Sequence, residues 1–343
     1  MTIVYAIIIL LLLIFVHETG HLIAAKITGI QVNEFALGMG PKLIGFKRGE
    51  TLYSFRAIPF GGFCSLEGDG EDSENPRAFN NKPARSRAFV LFAGSGMNIV
   101  LAIVALSMIF YAYGFPTLVL SDVEDKTPAY ANGLRAGDQI TAINDIELES
   151  WSEVRPILAE LAKREEQPRD LVVNLSVLRD GTELSITTGL AEDENGDLRL
   201  GVSPKFNRSP ASFFKSFYHG TKETGNMGKM MVEVLGGLVT GKVGLDQLTG
   251  PIGIVVAVGE TAEHGFIYIV QLTALISLNL AIVNLLPFPA LDGGRLLFLL
   301  IRKITGKAIS EVVEGRIHFI GIIILFAFMA LITLQDIDRF IIK

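Results

Sequence analysis

The stretch "LLLLIFVHETGHLIAAKITG" (residues 10–29) decides how the rest of the chain is read. Fourteen apolar residues, Ile3 to Val16, run without a break into His17-Glu18-Thr19-Gly20-His21, and apolar sequence resumes at Leu22–Ala25. A helix of that length crosses a hydrocarbon core about 30 Å thick. Two imidazoles and a carboxylate are costly at such a depth, and ionisable groups there mark function. In a helix, His17 and His21 fall on one face at the HExxH spacing, in which two histidines hold zinc and the glutamate serves as base. From Ile3 to His17 is about 21 Å at the helical rise, beyond the middle of the bilayer. Two histidines that only pack helices together would carry the cost with no return.

No basic stretch precedes the apolar run and no small-x-small cleavage site precedes His17, so it reads as a retained membrane helix rather than a secretory leader. Half of the 343 residues are apolar and 19% are charged. The formal net charge of −6, with no long basic run, argues against nucleic acid as a partner. Cys64 is the single cysteine, which excludes an internal disulfide framework and a cysteine-based metal site.

Four stretches are candidate spans: Ile3–Ala25, Phe89–Tyr113, a long one from Phe266 to Ile301, and about Ile317–Leu334. The third is too long for one straight span and is broken by Pro287 and Pro289, so it reads as two helical pieces joined at "LPFPALDGG". Lys82, Arg85 and Arg87 precede the second span, and Arg302, Lys303 and Lys307 follow the third. By the positive-inside rule these ends face the cytoplasm, and residues 114–265 lie outside. Arg339 and Lys343 pull weakly the other way.

The expected organisation is a polytopic α-helical membrane protein. Residues 1–113 hold the first two spans and an intervening β-hairpin on the cytoplasmic side. Residues 114–205 form an extracytoplasmic α+β domain, 206–265 a Gly-rich interfacial linker, and 266–343 the last spans. Alternation in "LVVNLSVLRDGTELSITT" (171–188), with Asp180-Gly181 at its centre, signals a hairpin. The piece "KTPAYANGLRAGDQITAIND" (126–145) resembles a PDZ domain of the bacterial protease type. "GETLYSFRAIPFGGF" (49–63) reads as extended chain, either a surface hairpin or an open strand edge for pairing with a peptide.

A catalytic zinc takes three protein ligands and leaves a fourth position open. Within apolar sequence the candidates for the third are Asp292 and His318. Asp292 is favoured, because Pro287 and Pro289 break the helix before it and Gly293-Gly294 let the backbone turn after it. The plain alternative pairs Asp292 with Arg295.

Together, "HETGH" (17–21), "NLLPFPALDGG" (284–294) and a PDZ-type domain between them resemble the site-2 protease family of intramembrane zinc metalloproteases, its bacterial members above all. "FALGMGPKL" (35–43) and "LTGPIGI" (248–254) match further family segments. The resemblance implies Zn2+ on His17, His21 and Asp292, Glu18 as catalytic base, and a substrate-side role for Asn284. "AGSGMN" (93–98) is similar to the family's Ala-Gly-Pro-x-x-Asn pattern, with Ser95 in place of proline, and extends a substrate-side role to Asn98.

The resemblance further implies a multi-pass enzyme of the bacterial inner membrane, with its active site towards the cytoplasm. Its substrates would be transmembrane segments of single-pass proteins, such as anti-sigma factors cut first by an upstream site-1 protease, or remnant signal peptides. A PDZ-bearing scaffold with a dead metal site is the non-enzymatic alternative, and Glu18 argues against it. A zinc protease acting on peptides at the membrane surface is the other, and the depth of His17 argues against that. Two roles stay open for the outer domain: a peptide-binding groove, or a filter on substrate size.

Overall fold

Lipid offers no hydrogen bonds, so a chain crossing it must satisfy its own backbone, and the first apolar run is a single helix, α1 (Thr2–Ile27). The computed structural model describes all residues except 1, 71–72, 165–170, 193–197, 208–211, 242, 245–247, 307–310 and 343. Lys307 and Lys343 therefore lie outside the described residues.

Two long antiparallel strands follow, β1 (Val32–Arg48) and β2 (Thr51–Leu66). Gly49, at φ +62°, makes the turn between them. Both strands bend, β1 at Gly38 and Gly40 and β2 near Gly61, all three at positive φ, a conformation glycine reaches without penalty. Because of the bends, residues 34–37 have partners on both sides: Phe35 faces Cys64 on one and Tyr53 on the other. Residues 52–55 are likewise enclosed, between 34–37 and 44–47. Residues 62–66 are paired on one side only. The open edge expected over 49–63 is thus corrected: it lies at the end of that stretch and just beyond it.

Helix α2 (Ala84–Tyr113) leads into an antiparallel sheet. Its strands are β3 (Phe115–Val123), β4 (Gln139–Ile143), β5 (Ile146–Glu147), β6 (Val172–Arg179), β7 (Thr182–Gly189) and β10 (Val202–Asn207), with a small separate pair, β8 (Ala191–Glu192) and β9 (Leu198–Arg199). The order is β10-β3-β4-β6-β7, with β5 beside β4. A short helix, α3 (Pro128–Ala131), and a longer one, α4 (Val154–Arg164), complete it. Val173, Leu175 and Val177 point inwards from β6 and meet Ile140, Ile143 and Leu158, which is why alternate positions of that strand are apolar. Asp180 and Gly181 both have positive φ, as a two-residue hairpin turn requires.

The chain continues as α5 (Phe213–Val239), α6 (Pro251–His264), α7 (Phe266–Asn284), α8 (Asp292–Thr305) and α9 (Glu311–Ile337), ending in a wide turn at Asp338–Ile342. Helices α5 and α6 occupy most of the segment expected as a Gly-rich linker. The quoted "LTGPIGI" is the start of α6, where Asp336 of α9 accepts from the backbone N–H of Gly250 at 3.2 Å and of Gly253 at 2.8 Å. A β-carbon at Gly250 would lie 2.7 Å from Ile332 and 2.8 Å from Asp336, so that close approach needs glycine.

The chain divides into two compact units, Met1–Leu106 with Met227–Lys343, and Ser107–Asn226. Among the described residues, four helices are long and apolar enough to cross a membrane: Thr2–Ile27, Ala84–Tyr113, Phe266–Asn284 and Val313–Phe340. In the first unit, Ala6, Ile9 and Leu13 of α1 pack on Val258 of α6, with Ile269, Leu272 and Ile276 of α7 beside them. Large apolar side chains on the other faces, among them Ile320, Ile323 and Phe326 of α9, remain exposed, as suits helices solvated by lipid.

Candidate metal centre

One turn of α1 separates His17 from His21, and their rings meet edge to face with centroids 4.8 Å apart. Their Nε2 atoms are 3.2 Å apart. Asp292, the first residue of α8, brings its Oδ2 to 3.3 Å from each of them. A tetrahedral zinc bound at about 2.0–2.1 Å sets its ligand atoms about 3.3–3.4 Å apart, so the three atoms stand as one face of such a tetrahedron. The Oδ2 atom is buried and has no hydrogen-bond partner among the described residues. An orphaned carboxylate oxygen beside two ring nitrogens is a donor set suited to a cation.

The far side of each ring is held. His21 Nδ1 lies 2.8 Å from the carbonyl oxygen of Val90 in α2, which only an N–H can satisfy, so in the neutral ring the lone pair is on Nε2. His17 Nδ1 is 3.4 Å from the Asn98 amide nitrogen, and Asn98 Oδ1 has no hydrogen-bond partner among the described residues. A half-turn of the amide brings Oδ1 to Nδ1–H and gives His17 the same tautomer. The Ser277 hydroxyl of α7 donates to the Asn98 backbone oxygen at 2.8 Å. Asn98 is wholly buried; its contact is with the ring.

Glycines let α1 and α2 approach this closely. A β-carbon at Gly20 would lie 2.2 Å from the carbonyl oxygen of Ala93, and one at Gly94 would lie 2.4 Å from His21 Nε2 and 2.9 Å from His17 Cε1. Gly94 is therefore a site residue that sequence reading missed. Its signal is the run of small residues that opens "AGSGMN" (93–98).

Asp292 owes its place to the break between α7 and α8. A β-carbon at Gly293 would lie 2.2 Å from the carbonyl oxygen of Leu286, and one at Gly294 would lie 2.3 Å from that of Phe288. The double glycine thus lets the 285–291 turn fold back onto the start of α8. His318, the other candidate ligand, is not among the three clustered groups; its Nδ1 accepts from Ala290 N–H at 2.9 Å. Arg295 pairs with Asp69, so the plain Asp292–Arg295 pairing is not formed.

A cleft of about 430 Å³ opens at the cluster, lined by Glu18, Asn284 and residues 62–66 of the open strand edge. Glu18 lies against that edge: a β-carbon at Gly62 would stand 3.4 Å from its Cγ. Burial, reinforced by Glu18, pushes the Cys64 thiol up to about 12, which leaves it an inert thiol in the cleft wall.

Peptidase family M50 matches residues 5–328 of this chain. The chain belongs to that family, and it is a metalloprotease. A Clostridium acetobutylicum protein provisionally named as a zinc metalloprotease is 37% identical, covering 98% of this chain and 97% of its own. The regulator of sigma-W protease RasP of Bacillus subtilis is 30% identical, covering 98% of each chain. Among solved structures, the PDZ domain of an SdrC-like protein from Listeria monocytogenes covers 26% of this chain and 88% of its own, at 21% identity and a TM-score of 0.22, too low to carry an argument. In this M50 peptidase the matched range contains His17, Glu18, His21, Gly94, Asn98, Asn284 and Asp292.

Proposed function

We propose that this M50 peptidase is an intramembrane zinc endopeptidase, with the metal held by His17, His21 and Asp292 and with Glu18 as its base. The observation that carries the reading is the triangle of two Nε2 atoms and one Oδ2 with edges of 3.2, 3.3 and 3.3 Å. Zinc, when bound, supplies Lewis acidity that acidifies water and polarises a carbonyl. Glu18 takes a proton from water and returns one to the leaving amine. Glu18 lines the cleft beside Gly62 of the open edge. Asn98 and the Val90 carbonyl fix the two rings, so we assign Asn98 to His17 rather than to substrate. Asn284 lines the cleft and offers an amide to the substrate backbone.

A helix presents its carbonyls already bonded, so a substrate helix must unwind to be cut. The one-sided edge at 62–66 suits that state: an extended peptide adds there as a further strand within reach of Glu18. The substrates we propose are transmembrane segments of single-pass membrane proteins. The name of the B. subtilis relative favours anti-sigma factors, cut after an upstream site-1 protease. Lys82, Arg85, Arg87, Arg302 and Lys303 favour a cytoplasmic position for the metal end and an extracytoplasmic one for the 107–226 unit, whose sequence we read as PDZ-type.

The test is a trap. Purified Glu18→Gln enzyme should cut nothing, keep about one zinc per chain, and retain membrane peptides identifiable by mass spectrometry. Loss of the metal in that variant, or undiminished cleavage, would overturn the assignment of Glu18.

A further inference from the structure

Helix α9 is largely lipid-facing, yet one strip of it carries polar and small residues turned inwards. His318 Nδ1 accepts from the backbone N–H of Ala290 at 2.9 Å, so the ring proton sits on Nε2. That nitrogen is 3.8 Å from Glu314 Oε1, one turn earlier on α9. The ring also meets Phe298 of α8 edge to face, with centroids 5.5 Å apart. Three residues further along α9, a β-carbon at Gly321 would lie 2.5 Å from Pro289 Cβ and 2.6 Å from its carbonyl oxygen. His318, with Glu314 behind it, and Gly321 therefore form a seat for Pro289 and Ala290.

The residue in that seat is strained. Ala290 has φ +83°, a region that a residue with a β-carbon seldom enters and that persists only where surroundings enforce it. Ala290 stands two residues before Asp292, at the bend from the 285–291 turn into α8. Relaxing it to negative φ would swing the first residue of α8 away from the histidines.

We propose that His318 is a positioning residue for the metal centre: by accepting the Ala290 N–H it holds the left-handed bend that presents the Asp292 carboxylate to His17 and His21. It does so from outside the cluster, through the backbone. This inference rests on the zinc reading above. It assigns to α9 a part in catalysis that its lipid-facing sequence conceals.

The test compares two replacements in the full-length, detergent-purified enzyme. His318→Asn keeps an acceptor near the position of Nδ1; His318→Phe keeps a ring against Phe298 and removes the acceptor. His318→Phe should weaken zinc affinity, read by chelator competition, by about tenfold or more, and lower kcat with KM little changed, since residues 62–66 are untouched. His318→Asn should stay within about threefold of wild type on both. Ala290→Gly removes the strain, so in that background the penalty of His318→Phe should shrink. Equal effects from Asn and Phe, an unaltered zinc affinity in His318→Phe, or an undiminished penalty with Gly at 290 would each overturn the inference. Wild-type enzyme lacking zinc would instead sink the reading on which it stands.

Discussion

Each of the two units holds a carboxylate among its side chains, and the two are treated in opposite ways. Asp138, in the 107–226 unit, is 1% exposed and fully bonded. Arg179 donates Nε to Oδ1 at 2.6 Å and Nη2 to Oδ2 at 2.8 Å, and the Arg135 backbone N–H adds a third bond at 2.8 Å. Asp292, in the helical unit, keeps a buried Oδ2 with no hydrogen bond among the described residues, facing two ring nitrogens. A carboxylate bonded on both oxygens fastens a turn. One left short beside two imidazole nitrogens has a cost that a bound cation offsets. The difference separates framework from chemistry without reference to any relative.

Asp292→Ala gives the largest expected effect and the sharpest test of that contrast. It should abolish tight zinc binding and lower activity by about a thousandfold or more, while the 107–226 unit keeps its resistance to proteolysis. If Asp292→Ala retains the metal, the orphaned oxygen was misread. Gly94→Ala should come next: its added methyl meets His21 Nε2 at 2.4 Å, so we expect a loss of activity on the order of a hundredfold and weaker zinc binding by chelator competition. Wild-type kinetics in that variant would mean that α2 yields freely, and that the ring positions are not fixed by it.

Arg179→Leu reverses the pattern. It should destabilise the 107–226 unit by on the order of 3 kcal/mol, measured by pulse proteolysis of the full chain, and leave zinc content unchanged. The pH dependence of the same pair has a definite sign. Burial acts to raise the Asp138 carboxyl, but the Arg179 and Arg135 bonds outweigh it and hold the group below its ordinary 3.8. A depressed folded value stabilises above the unfolded one, so the contribution is intact at neutral pH and lost as pH falls below 3.8 through the folded value. Proteolytic resistance of wild type should drop across that acid window, and Arg179→Leu should lack that step.

Several features were legible because they are local. The inward face of β6 could be read from alternation, and the Asp180-Gly181 turn from residue type. The α7–α8 break followed from proline, which ends a helix, and from glycine, which tolerates close backbone approach. The open strand edge was only half legible. Composition marked 49–63 as extended chain, but which part lies unpaired depended on bends at Gly38, Gly40 and Gly61 that folded 34–37 between two stretches of β2. The pattern in "AGSGMN" marks Asn98 but not its contact, since nothing in it tells whether an amide faces a cleft or a ring.

By itself, the sequence determined that His17 and His21 share one face of a helix long and apolar enough to cross a membrane, and that an acid stands at a broken helix downstream. Spacing and backbone preference act over a few residues and can be read directly. Only the tertiary structure decided which distant groups complete the site. His17 meets Asn98 across 81 positions, His21 meets the Val90 carbonyl across 69, and Ala290 meets His318 across 28. Those contacts depend on how α1, α2, α8 and α9 pack, down to the absence of one methyl group at Gly94. Packing of that kind is a property of whole helix surfaces, and no single segment of the chain encodes it.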